Sequence, residues 1–166
     1  MHTQLVGTLT DFIRSIGIPV HFQKIEAPCF MPGILISKGA LIIDMDELKH
    51  PGDLLHEAGH IALLTPEQRA RETGNLESEQ NPQTAMELGV ICWTWAAAHH
   101  LRLDPAVLFH AGGYKDDSDW LIETFSTGNY PGLPLLEWLG LTCSRKKAAA
   151  EGCKPFPEMQ AWLRMR

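Results

Sequence analysis

The segment His56-Glu57-Ala58-Gly59-His60 combines residue types and a spacing that could do chemistry. On a helix, two histidines four positions apart project from one face, so both imidazoles can reach a single metal ion. Zinc suits neutral imidazole nitrogen, and three protein ligands leave a fourth position for water. Glu57, directly after the first histidine, is placed to accept a proton from that water. The pentapeptide therefore predicts a zinc site of the catalytic type.

A third ligand has to come from elsewhere, because position 66, where the long metzincin pattern has a further histidine, is Pro66. A carboxylate from a second helix is the other common solution. The candidates are Glu77, Glu79 and Glu87. Glu87 is favoured, since it is the only acidic residue in the apolar stretch 82–101, where a charge needs a strong partner. Glu77 and Glu79 lie in a predicted loop and remain alternatives.

The elements that position these residues follow from the hydrophobic pattern. Apolar residues at helical spacing predict a helix over about 3–16. An alternating run over 20–25 and two apolar runs, 33–36 and 40–43, on either side of the turn Ser37-Lys38-Gly39 predict a small, mainly antiparallel sheet over about 19–44. The motif helix is predicted to begin at Asp46 or Asp53 and to end near Leu64.

A second long helix is predicted from Pro82, after the N-cap residue Asn81, to about Leu101. It is apolar nearly all round, which is typical of a central, buried helix. Trp93 and Trp95 are accordingly interpreted as core residues. Shorter helices are predicted over about 66–68, 105–110, 118–125 and 133–139. We divide the chain into a single domain, 1–144, and a C-terminal tail, 145–166, that contains one docked helix.

The order of these elements resembles that of the ImmA/IrrE metallopeptidases, a gluzincin-like family. A helix, a small sheet with a hairpin, His56-Glu57-Ala58-Gly59-His60 and a helix bearing Glu87 follow one another over about 3–101. Glu87 stands 27 residues after His60, which fits the spacing expected in that family. The resemblance implies an α+β, zincin-like fold, with a small antiparallel sheet packed on a bundle of helices that includes the motif helix. It also implies a zinc-dependent or manganese-dependent endopeptidase, whose substrates include regulatory proteins.

Composition excludes some other functions. The chain has 14 basic and 20 acidic residues and a net charge of -6, so it lacks the basic excess of a nucleic-acid binder. No apolar run approaches the ~18 residues of a membrane span, and Met1-His2-Thr3-Gln4 does not begin a signal peptide. We expect a cytoplasmic protein whose partner is a peptide or protein substrate, without nucleic acid or membrane.

Four cysteines are present, at positions 29, 92, 143 and 153. No two of them form a C-x-x-C pair, so their spacing predicts neither a zinc ribbon nor a dense disulfide scaffold. Cys92 lies in the apolar helix and is interpreted as a buried thiol. A reducing environment is the corresponding expectation.

A hydrolytic site also benefits from a donor to the oxyanion. The side chains that could serve are His99, His100, His110, Tyr114 and Tyr130, and the sequence does not choose among them. In addition, strand 40–44 precedes the motif helix and could pair with an extended substrate if it lies at a sheet edge.

The sequence thus predicts a metal-dependent peptidase with His56, His60 and Glu87 as ligands and Glu57 as base and acid. An alternative is a regulatory or interaction protein that keeps the metal-binding scaffold with little turnover. Ile91, one turn after Glu87, offers no second acid to support that ligand, which suits the alternative. A structural zinc domain is the least favoured hypothesis, because closed sites of that type use thiolates and no cysteine lies near the motif.

Overall fold

The computed structural model of the chain describes residues 2–26, 28–71, 84–110 and 117–166. Within these ranges the chain forms eight helices and three strands, so the fold belongs to the mixed α+β class. The contacts divide the chain into two compact units, one of residues 1–82 with 163–166 and the other of residues 83–162.

The first helix, α1 (His2–Ser15), confirms the helix predicted over about 3–16. Its apolar positions recur at helical spacing, and the side chains of Leu9 and Ile13 are fully buried. The helix ends two residues before Gly17, and after a connection of four residues the chain enters β1 (Val20–Phe22).

The sheet of the first unit consists of β1, β2 (Ile34–Ser37) and β3 (Ala40–Ile43) in the order β1-β3-β2. The pairing of β2 with β3 is antiparallel, whereas the pairing of β1 with β3 is parallel. The predicted antiparallel hairpin is therefore confirmed, whereas the sheet as a whole is mixed and not mainly antiparallel as predicted. The tight hairpin fixes β2 on one side of β3, and the longer connection after β1 lets β1 take the other side in the same direction as β3.

Strand β3 lies in the centre of this sheet, and all four of its residues are buried. Because both of its edges are paired, it has no free edge for a peptide. The prediction that strand 40–44 could receive an extended substrate was therefore wrong, and the edges among the described strands belong to β1 and β2.

The motif helix, α2 (Asp53–Leu63), begins at the second of the two predicted start residues. Asp53 lies in its first turn, where a carboxylate interacts favourably with the helix dipole. The helix packs against α1, β2 and β3, and ten of its eleven residues are buried. Sheet and first helix together thus remove the motif helix from water.

The last carbonyl groups of α2 are satisfied from distant parts of the first unit rather than by a glycine cap. The backbone N–H of Arg164 donates to Ala62 at 2.8 Å, and the guanidinium of Arg164 donates to Leu63 at 3.3 Å. The guanidinium of Arg69, in α3 (Pro66–Arg71), donates to the carbonyls of Leu64 and Arg164. These bonds satisfy carbonyls that a helix end leaves without intrahelical donors.

The second unit is built around α4 (Thr84–Leu101), which confirms the predicted buried helix. Trp93 is fully buried and its indole N–H donates to the carbonyl of Trp162 at 2.9 Å. Trp95 packs on Phe109 and Phe125, so both tryptophans serve packing as predicted. The predicted start of this helix at Asn81 and Pro82 lies outside the described residues.

Four shorter helices complete the second unit: α5 (Pro105–Leu108), α6 (Ser118–Ser126), α7 (Leu133–Trp138) and α8 (Arg145–Glu151). Asp104 caps α5, since its carboxylate accepts the backbone N–H of Ala106 at 2.9 Å. After α8 the chain returns along residues 141–143, and Thr142 and Met159 form an antiparallel bridge. Among the described residues, no helix combines the length and the apolar character that crossing a membrane requires.

The hairpin turn before β3 provides a test of this arrangement. Gly39 has a φ of +74°, and a Cβ atom there would lie 2.8 Å from the carbonyl oxygen of Arg69. We expect Gly39→Ala to lower the free energy of unfolding by about 2–3 kcal/mol, from backbone strain and this contact together. Urea unfolding followed by circular dichroism measures the change. Gly128→Ala is the matched control, because its φ is +83° with open space around it; equal losses in both variants would contradict the predicted contact.

Candidate metal centre

His56 and His60 lie one turn apart on α2 and direct their imidazoles toward each other. The two Nε2 atoms are 3.1 Å apart, and the rings meet edge to face with centroids separated by 4.8 Å. Two nitrogens bound to one zinc ion at 2.0–2.1 Å in tetrahedral geometry would be about 3.3 Å apart. The observed separation is thus close to that required of two ligands on one ion, and it also allows a hydrogen bond between a neutral donor ring and a neutral acceptor ring.

Glu57 completes a cluster with the two histidines. One carboxylate oxygen of Glu57 and one nitrogen from each ring all lie within 4.8 Å of one another. His56 and Glu57 are each only 5% exposed, whereas His60 keeps part of its surface accessible. Two imidazoles together with a carboxylate from a further residue would suit zinc and also manganese, while Glu57 itself lies beside the ring nitrogens, where it can accept a proton.

The electrostatics of the cluster keep both imidazoles neutral. Burial, and to a smaller extent the adjacent His60, together lower the pKa of His56 to about 3. Burial likewise lowers the pKa of His60 to about 4, although this side chain is the more exposed of the two. Neutral imidazole is the form that binds a metal ion, so neither ring has to lose a net charge at neutral pH. The ring that donates the shared hydrogen bond would have to carry its proton on Nδ1 instead of Nε2 before its Nε2 could bind the ion.

Glu87, the favoured third ligand, lies in the first turn of α4 and is half-buried. It belongs to the second unit, whereas the histidines belong to the first, and its assignment as a ligand stays a prediction. Its position near a helix N-terminus also stabilises a carboxylate without a metal ion. The alternatives Glu77 and Glu79 lie outside the described residues.

Which side chain would donate to the oxyanion also stays a prediction, and the candidates lie as follows. His99 and His100 are exposed at the C-terminal end of α4, and the carbonyl of His110 accepts a hydrogen bond from Ser118. Tyr130 packs on Phe125 and Phe156, and burial raises the pKa of its hydroxyl. Tyr114 lies outside the described residues.

A second group of metal-ligand side chains was not predicted. Cys143, Glu151 and Cys153 converge in the second unit, with one ligand atom from each within 4.8 Å of the others. The sequence does not reveal this group, because nine residues separate the two cysteines and this spacing matches no short metal-binding or redox motif. Their proximity depends on a chain reversal that the spacing alone does not reveal.

The depressed histidine pKa values predict how the stability of the metal-free chain depends on pH. Between about pH 6.5 and 4, the unfolded chain binds protons at His56 and His60 that the folded chain does not bind. Lowering the pH through this range should therefore reduce the free energy of unfolding, by about 1.4 kcal/mol per pH unit for each histidine. Urea unfolding at a series of pH values, in the presence of a chelator, measures this slope.

The double variant His56→Gln/His60→Gln should have a shallower slope than the original chain, whatever its absolute stability. His21→Gln is the matched control, because His21 is exposed and the slope should be unchanged. If the double variant and the original chain lose stability in parallel on acidification, the two imidazoles are not the desolvated neutral pair described above.

Comparisons with known proteins give no relative for this chain: no family model matches it, and no curated protein or solved structure does. Any functional conclusion consequently depends on its own residues and their geometry.

Proposed function

We propose that the chain is a zinc-dependent metallopeptidase-like hydrolase that cleaves a peptide bond. In this proposal His56, His60 and Glu87 hold the ion, and Glu57 transfers protons. The observation that carries it is the convergence of the two histidine Nε2 atoms, 3.1 Å apart, beside the buried carboxylate of Glu57 on one helix.

Each residue of the cluster has a distinct role in the proposed reaction. Neutral imidazoles of His56 and His60 bind the ion directly. When bound there, zinc would act as a Lewis acid and would lower the pKa of the water molecule that it binds toward ~7. Glu57 takes a proton from the attacking water and delivers it to the leaving nitrogen, so that one water molecule is consumed for each peptide bond cleaved.

The same proposal includes a relationship to the ImmA/IrrE peptidases and a zincin-like fold. The order of the elements along the chain supports both. Helix α1, the three-stranded sheet, α2 with its histidines and α4 with Glu87 follow one another along the chain. Strands β1 and β2 provide the sheet edges at which an extended peptide could add a strand. A peptide or protein, including a regulatory protein, is the substrate class that this arrangement favours.

Metal content tests the first part of the proposal. We expect the purified chain, after equilibration with zinc and removal of the excess, to retain about one ion at the histidine site. His56→Ala should abolish this binding, because one imidazole alone cannot chelate the ion. Glu87→Gln should weaken it by about 100-fold or more if the carboxylate is a ligand. Elemental analysis and competition with a chromophoric chelator measure occupancy and affinity.

His21→Ala is the control for a surface histidine and should bind zinc as the original chain does. If His56→Ala binds zinc with unchanged affinity, the proposal of a metal centre at these histidines is wrong. Loss of binding in His56→Ala together with unchanged binding in Glu87→Gln would keep the centre and exclude Glu87 as the third ligand.

Catalysis is tested separately from binding. Glu57→Gln should retain zinc with unchanged stoichiometry and cleave peptides about 100- to 10,000-fold more slowly, because the amide cannot accept the proton. Digestion of a mixed peptide library by the zinc-loaded chain, followed by mass spectrometry, measures cleavage and gives the preferred sequence. Glu67→Gln, at an exposed position on α3, is the matched control and should cleave normally.

The alternative is a metal-binding regulatory or interaction protein without appreciable turnover. It predicts that the original chain and Glu57→Gln bind zinc equally and that neither cleaves any peptide of the library. That result would contradict the hydrolase while leaving the metal centre intact.

A further inference from the structure

The thiols of Cys143 and Cys153 form a close pair in the second unit. Their Sγ atoms are 3.0 Å apart, and both cysteines are free thiols. Cys143 is 1% exposed, whereas Cys153 is half-buried and so reachable by a small reagent. Neither residue belongs to the candidate metal centre of the first unit.

The backbone around α8 brings the two cysteines together. Cys143 precedes the N-cap residue Ser144, and Cys153 follows Gly152, whose left-handed conformation ends the helix. The ends of this seven-residue helix are about 10 Å apart, so the chain must turn back for the sulfur atoms to meet. The N–H of Cys153 donates to Ala148 at 3.3 Å, and the N–H of Phe156 donates to Cys143 at 2.8 Å. The pair is consequently fixed by backbone hydrogen bonds on both sides.

The side chains around the pair favour a bond between the sulfurs over a shared metal ion. Two thiolates on one zinc ion, at about 2.3 Å each, would lie about 3.8 Å apart, which is farther than observed here. Among the described residues the third donor of the group is Glu151, which is exposed and 4.0 Å from the sulfur of Cys143. The amide of Gln160 donates to the same sulfur at 2.8 Å. A closed zinc site needs four ligands, and this group offers three.

We propose that Cys143 and Cys153 form a reversible disulfide by exchange with a small-molecule disulfide such as glutathione disulfide. The thiolate of Cys153, the more exposed of the two, attacks one glutathione sulfur, which breaks the glutathione S–S bond and releases one glutathione thiolate. The thiolate of Cys143 then attacks the sulfur of Cys153 and releases the second glutathione thiolate. The protein loses two electrons and two protons, and one glutathione disulfide becomes two glutathione thiols.

The neighbouring groups determine how fast this exchange proceeds. The hydrogen bond from the Cys153 thiol to Cys143, followed by desolvation, raises the pKa of the Cys153 thiol. Because the thiolate is the attacking form, exchange should accelerate as the pH rises. Once the mixed disulfide exists, the close approach of Cys143 favours ring closure over accumulation of the mixed form.

Thiol counting on the full chain tests the proposal. The chain is incubated with glutathione disulfide at mildly alkaline pH, the remaining thiols are alkylated after denaturation, and the intact mass is measured. We expect the count of free thiols to fall from four to two, with the loss of two hydrogens and no added glutathione. A reductant should restore four thiols.

Tryptic mapping locates the bond, because Arg145, Lys146 and Lys147 lie between the two cysteines. Digestion without reductant should yield peptide 116–145 joined to peptide 148–164, and the two should separate on reduction. Cys29→Ser is the matched control for a cysteine outside the pair and should show the same joined peptides. Cys153→Ser should not show them.

Two results would overturn the proposal. One is a chain in which glutathione remains attached to Cys153 and no joined peptide forms. The other is a second zinc ion per chain that protects Cys143 and Cys153 from alkylation and is lost in Cys153→Ser, which would make the pair a metal site. The experiment uses the original chain, so the folding of a variant does not decide it.

Discussion

The desolvation of three polar side chains on α2 is the constraint around which the first unit is arranged. His56, Glu57 and His60 stand on a helix whose other described residues are almost entirely buried apolar groups. Removing such groups from water costs several kcal/mol each unless partners replace the lost hydration. Neutral imidazoles that face each other reduce this cost, because the two rings can share a hydrogen bond and neither carries a charge. Uncharged imidazole is also the form that binds a divalent cation, so the folding requirement and the proposed chemistry both favour neutral rings.

The parts of this arrangement that arise from local geometry could be predicted from the sequence. The facing of His56 and His60 follows from their spacing of four residues on a helix. The extent of α1 followed from the period of its apolar residues, and the predicted end of α4 near Leu101 is also observed. In each of these cases the relevant neighbours lie within one or two turns along the chain.

The parts that depend on distant segments could not be predicted in this way. Alternation identified β1, and the turn between two apolar runs identified β2 and β3, but the parallel pairing of β1 with β3 depends on the course of the connection between β1 and β2. A third metal ligand likewise depends on which helix approaches α2, so the sequence favoured Glu87 without excluding Glu77 and Glu79. The pairing of Cys143 with Cys153 needed the chain reversal after α8, for which the sequence signal is the glycine at position 152 and the proline at 155.

The C-terminal hydrogen bonds of the motif helix have a consequence for synthesis on the ribosome. The carbonyl of Leu63 accepts from Arg164, which lies 101 positions later in the chain. At elongation rates of roughly 5–20 residues per second, this donor is added about 5–20 seconds after the helix itself. During that interval the end of the helix next to His60 has to rely on water and on Arg69, and the nascent helix is exposed to fraying while the second unit is made.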